Sequence, residues 1–116
     1  RERILYGVST KEIQKLNSFG GVYRISKKAD DGKYYVFFVG SSENIKQRLT
    51  HHLSEEEKNL PLKNYLSQGG DIVFRYAIVP EKNIQVAIEK LMYKHYLPEY
   101  NFEEPNSSLG VDVNLN

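Results

Sequence analysis

The 116-residue chain contains no cysteine. A disulfide framework and thiolate chemistry are therefore excluded, and the composition suits a reducing, intracellular compartment, cytoplasm or nucleus. Charge of one sign is also lacking. With a formal net charge of only +1, any contact with nucleic acid must come from a local patch and not from a basic whole. No stretch approaches the roughly 18 apolar residues that a membrane span requires, and no signal-peptide pattern is present. Internal repeats and low-complexity tracts are absent as well. What remains is ordinary globular composition, 40% apolar and 27% charged, at a length that fits one domain. The first residue is Arg1 and not methionine, which reads as a module of a longer parent with flanking domains.

Pattern along the chain predicts an α/β fold. Ser9 and Glu12 have capping-box spacing for a short helix with Ile13 and Leu16 inward, broken at Gly20-Gly21. Val22 to Ser26 and Tyr34 to Val39 read as two strands joined by a turn at Asp30-Asp31-Gly32. Gly40-Ser41-Ser42 ends the second strand and supplies a helix cap. Ile45, Leu49 and Leu53 then recur at helical spacing. Ser54 with Glu57 caps a further helical piece that Pro61 to Gln68 continues, up to Gly69-Gly70. Ile72 to Val79 reads as a buried strand. Asn83 caps a last helix with Ile84, Ala87, Ile88, Leu91 and His95 on its inner face, closed by Pro98. The expected architecture is a small three-stranded sheet opened by a β-hairpin, with helices packed on it. Its parts are a helical extension over 1–20, a core domain over 21–101 and a polar, unstructured tail over 102–116.

Certain residues at strand ends and helix faces have the chemistry for a phosphate. Arg48 carries a planar fork that matches phosphate oxygens, and His52, four residues on, shares its helix face. On an amphipathic helix both residue types are more often solvated side chains. Glu89 borders the apolar face of the last helix, where a carboxylate facing a cleft suits Mg²⁺ or Mn²⁺. No second carboxylate has a claim on that place: Glu43 fits a helix dipole, and Glu55, Glu56 and Glu57 read as a solvated helix start. Two-metal hydrolysis needs several bridging ligands, so one carboxylate argues for a single ion. Lys46 adds positive charge near Arg48. Tyr23 on a strand is by residue type a core side chain.

In order, Gly21-Val22-Tyr23, Phe38-Val39-Gly40 with Gly-Ser-Ser-x-Asn after it, Arg48, His52, Glu89 and Asn101 resemble the GIY-YIG nuclease family. Each tripeptide alone is uninformative, whereas the ordered set over 21–101 is specific. The resemblance implies a metal-dependent endonuclease acting on nucleic acid, with DNA the expected partner. It assigns Glu89 to a single divalent ion and Arg48 to the transition state. Tyr23 and His52 go to water and protons, and Asn101 to bracing and substrate, while Lys46, outside the family's motif, is expected to touch substrate through its charge alone.

At one position the pattern departs. The second signature normally begins with tyrosine, and here that residue is Phe38, with a longer spacing from Tyr23 than the family usually shows. By strand parity Tyr35 points away from the site, and Tyr34 shares Phe38's face but stands four residues off. That leaves Tyr23 as the stand-in for the lost hydroxyl. The competing expectation is a degenerate module that binds nucleic acid or protein without cutting.

Overall fold

A computed structural model describes residues 2–6, 13, 15–54, 56–68, 70–101, 103–113 and 115. The expected capping box at Ser9 and Glu12 falls outside these residues, as do Glu55 and Gly69. Ile13 and Leu16 are both buried, as their spacing predicts.

Among the described residues four strands and three helices follow one another: β1 Glu2–Tyr6, β2 Gly21–Lys28, β3 Tyr34–Ser42, α1 Ile45–His52, α2 Leu60–Ser67, β4 Ile72–Ile78 and α3 Lys82–Tyr96. The expected three strands form an antiparallel unit in the order β4-β2-β3, with the helices packed on it. A fourth strand extends it. β1 pairs antiparallel with β4, from Glu2↔Ala77 to Tyr6↔Val73, so the helical extension expected over 1–20 begins instead as a strand. Ile4, Leu5 and Tyr6 are good strand formers, and β4 would otherwise present an open edge.

The hairpin between β2 and β3 turns where the sequence predicts. Gly32 takes a positive φ of 83°, and Ala29 and Lys33 close the turn through backbone hydrogen bonds. A register shift between Ile25 and Ser26 then places Ile25 opposite Phe38 but Ser26 opposite Val36. Phe37 is the extra residue of a β-bulge. Phe37 and Phe38 both join the core on the face that carries Tyr23. Parity upstream of the bulge is therefore reversed, and Tyr35, opposite Lys27, returns to Tyr23's face. Its hydroxyl is engaged at the turn, 2.6 Å from Asp31, so it still plays no part at the site.

Two apolar clusters flank the sheet. On one face Tyr23, Ile25 and Phe38 pack with Ile45, Leu49, Leu62 and Leu66 of α1 and α2. On the other, Val22 and Val39 pack with Ile88 and Met92 of α3. Two helix caps differ from expectation. Asn44, and not a serine before it, caps α1 by accepting from Gln47 N–H at 3.1 Å, and Asn59 caps α2 through Leu62 N–H at 3.1 Å. α3 begins earlier than Asn83, at Lys82 after Glu81. Its buried face is Gln85, Ala87, Ile88 and Met92, while Leu91 is half-buried and His95 exposed. Gln85 sets that rotation, donating its amide to Val79 O at 2.7 Å where the chain leaves β4.

The described residues of the tail form no helix or strand but are tied down. Lys90 Nζ donates to Ser107 O at 2.7 Å, and both Tyr96 and Arg24 donate to Leu115 O. Val111 and Leu115 pack against the α3 cluster.

Candidate active site

Adjacent residues of a strand point to opposite faces, and the site is built on that alternation at Gly40 and Ser41 near the end of β3. Gly40 faces Tyr23. A Cβ at residue 40 would lie 2.4 Å from the Tyr23 hydroxyl, so only glycine lets the phenol lie across the strand. Ser41 faces the other way and donates its hydroxyl to Glu89 Oε1 of α3 at 2.5 Å. The strand thus separates a phenol on one side from a carboxylate on the other.

On the phenol's side the groups form a chain. Tyr23, 1% exposed, has its hydroxyl 2.6 Å from His52 Nε2. His52, 3% exposed, contacts Glu57 Oε1 through Nδ1, and Glu57 Oε2 accepts from Asn59 N–H at 3.2 Å. The expectation that Glu57 belongs to a solvated helix start is therefore wrong. It is 7% exposed and lies in the turn between α1 and α2, where it is the buried partner of His52. An acidic run reads as solvent-facing on charge pattern alone, and only the path of the chain after α1 turns this one inward.

Arg48 links the two sides. It is exposed on α1, and its charge acts on Tyr23, His52 and Glu89. Burial pushes the Tyr23 hydroxyl well above the ordinary tyrosine range, more than Arg48 pulls it down. Burial also holds His52 below the usual histidine value, with Glu57 opposing and Arg48 and His51 reinforcing. For Glu89 burial raises the pKa, partly offset by Ser41 and Arg48. Burial alone would raise Glu57 too, but the Asn59 amide and the His52 ring outweigh it, and the carboxyl titrates below the usual range.

Phe38 fills the space beside this chain, its ring 5.0 Å from His52 and 6.3 Å from Tyr23 between centroids. Asn101 does not reach into the cluster. Its carboxamide is engaged by the backbone of Val39 on both sides. Lys46 stands apart as well, because two residues along a helix place it roughly 200° around the axis from Arg48. Of the expected residues, Tyr23 and His52 meet directly, Arg48 acts on both through its charge, and Glu89 stands across β3 from them. Ser41 and Glu57 join them, and of these only Ser41 had a signal in the sequence, as the residue after the glycine of the second signature.

Among the described residues no group of three or more histidines and acids is arranged to hold a metal. The donor set is one carboxylate, which fits an ion that keeps most of its water shell. Burial makes the charge of Glu89 costly, and Ser41 and Arg48 offset that only in part.

The GIY-YIG catalytic domain family matches residues 19–101. This chain belongs to the GIY-YIG family. Among solved structures it is similar to the GIY-YIG N-terminal endonuclease domain of UvrC from Thermotoga maritima. A point mutant of that domain bound to its catalytic divalent cation aligns at 19% identity and TM-score 0.63, over 80% of this chain and 93% of the other. The same domain bound to magnesium aligns at 20% identity and TM-score 0.62, over 78% and 92%. At such identity the likeness establishes the fold. Against curated protein sequences the chain finds no significant match. No described helix of this GIY-YIG domain is long and apolar enough to cross a membrane.

Proposed function

We propose that this GIY-YIG domain is a divalent-metal-dependent endonuclease that hydrolyses phosphodiester bonds in nucleic acid, with DNA as its substrate. The observation that supports this most is the Tyr23–His52 hydrogen bond under the charge of Arg48, across one strand from the Glu89 carboxylate. Hydrolysis adds negative charge to a phosphate, and fixed positive charge aimed at it lowers the barrier. Arg48, exposed and forked, is the group that meets the phosphate oxygens. Glu89 would hold a single Mg²⁺ or Mn²⁺, which when bound neutralises charge on the phosphate and its leaving oxygen. The similar UvrC domain, crystallised with a catalytic divalent cation, supports that assignment.

Tyr23 orients the attacking water, and His52 handles the proton. Asn101 acts on substrate only indirectly, by bracing β3 behind Gly40 and Ser41. Lys46 adds a phosphate contact outside the cluster. The domain works inside the cell. Phe38 does not block this reading, because Tyr23 already has a proton acceptor of its own.

The test is cleavage of plasmid and single-stranded substrates with Mg²⁺ or Mn²⁺, wild type beside Glu89→Ala. Nicking in either metal that Glu89→Ala abolishes is the expected result. A folded wild type that binds nucleic acid and never cuts would make the domain a binding module.

A further inference from the structure

We infer that Glu57 is a positioning residue of the cleavage reaction, fixing the tautomer and orientation of His52 so that Nε2 receives the proton of Tyr23. This rests on the nuclease reading and extends it to a residue outside the family's motif.

Hydrogen-bond direction carries the argument. An ionised carboxylate has no proton to give, so the contact between Glu57 Oε1 and His52 Nδ1 is donated by Nδ1–H. In a neutral imidazole Nε2 then carries the lone pair. The atom 2.6 Å from Nε2 is the Tyr23 hydroxyl, which must be the donor. All protons in the chain point from Tyr23 toward Glu57. The opposite tautomer would set Nε2–H against the phenol and leave Nδ1 facing the carboxylate with no proton between them, at a site with almost no solvent access.

Glu57 is itself held. Its second oxygen accepts from Asn59 N–H at 3.2 Å and lies 3.7 Å from His51 Nε2. Asn59 in turn caps α2 and donates through Nδ2 to Tyr100 O at 2.9 Å. The carboxylate is therefore fixed to a helix start and to the segment after α3, which leaves the imidazole one orientation.

The consequence for the reaction is a two-proton transfer. The water oxygen forms its bond to phosphorus while one water proton moves to Tyr23 Oη. The proton already on Oη moves to His52 Nε2. The phosphorus bond to the leaving oxygen breaks with its electron pair on that oxygen, which solvent protonates. His52 becomes an imidazolium beside Glu57, and returns its proton to solvent before the next turnover. Tyr23 never needs to exist as a free phenolate, a form that its burial disfavours.

The experiment uses the full chain labelled with ¹⁵N-histidine, as wild type, Glu57→Gln and Glu57→Asp. Nitrogen shifts of His52, read without substrate or metal, should show Nδ1–H in the wild type and a tautomer mixture in Glu57→Gln. Single-turnover cleavage by Glu57→Gln should fall at least about tenfold with substrate KM unchanged, and Glu57→Asp should recover much of it. An unchanged His52 tautomer in Glu57→Gln overturns the inference, and so does a changed tautomer with full cleavage. If the wild type does not cut at all, the nuclease reading fails, while the nitrogen spectra still decide whether Glu57 positions His52.

Discussion

Asn101 completes the edge of the sheet with a side chain: its Oδ1 accepts Val39 N–H at 2.8 Å and its Nδ2 donates to Val39 O at 2.9 Å. One carboxamide thus does for β3 what a neighbouring strand would do, immediately before Gly40 and Ser41. Asn101→Ala leaves both Val39 groups without this partner and should cost about 1–3 kcal/mol in urea unfolding. Asn101→Asp should cost more, because it turns a carboxylate oxygen toward the Val39 carbonyl.

Phe38 is the departure from the family's second signature, and its ring stands against both His52 and Tyr23. Under the proposed relay Tyr23 hands its proton to His52, 2.6 Å away, so a second hydroxyl beside it is redundant. Phe38→Tyr should change the nicking rate less than about threefold, whereas Tyr23→Phe should lower it by about 10²-fold or more. A large gain in Phe38→Tyr would show that the missing hydroxyl, and not Tyr23, limits the rate.

Acid should weaken the fold in two stages. His52 titrates below 6.5 in the folded chain, chiefly because it is buried, so from 6.5 downward the unfolded chain binds more protons and stability falls. Glu57 also titrates below its ordinary 4.5, so its favourable contribution is full above 4.5 and is lost only at lower pH. Melting temperature against pH should therefore decline first just below 6.5, and this step should be missing in His52→Gln.

Much of this is legible in the sequence. The glycine-rich turn, the β-branched runs and the four-residue stripe place the strands and α1. The spacing of Arg48 and His52 puts them on one helix face. Other features arise only from the folded chain. The bulge at Phe37 reverses strand parity, and no local signal in Tyr34 to Val39 announces it. α3 is rotated from its apolar stripe because a polar residue, Gln85, is anchored at the end of β4. Glu57 was missed for a related reason, since a carboxylate in an acidic run is buried only when a distant turn brings a histidine and an amide to meet it.

Glu89 offers a test that needs no cleavage. Its pKa is raised by burial, so its ionised form is a cost to the fold at neutral pH, and removing that charge should not destabilise the protein. Glu89→Gln should melt at or above the wild-type temperature in EDTA. Millimolar Mn²⁺ should raise the wild-type melting temperature by a few degrees, as binding to the folded state alone requires, and leave Glu89→Gln unmoved. Equal shifts in both proteins would place the ion elsewhere.

Gly40 and Ser41 are neighbours in the chain, yet the groups they receive belong to separate apolar clusters, one built with α1 and α2 and one with α3. Damage to either half is therefore local in its energetics. Substitutions at His52 and at Glu89 should have nearly additive effects on stability, Arg48 being the charge they share, while under the proposed reaction their effects on rate are not additive. Such a molecule can lose its chemistry one half at a time and still fold. A lineage leaving cleavage behind would have that route open to it, each step keeping one of the two apolar clusters whole.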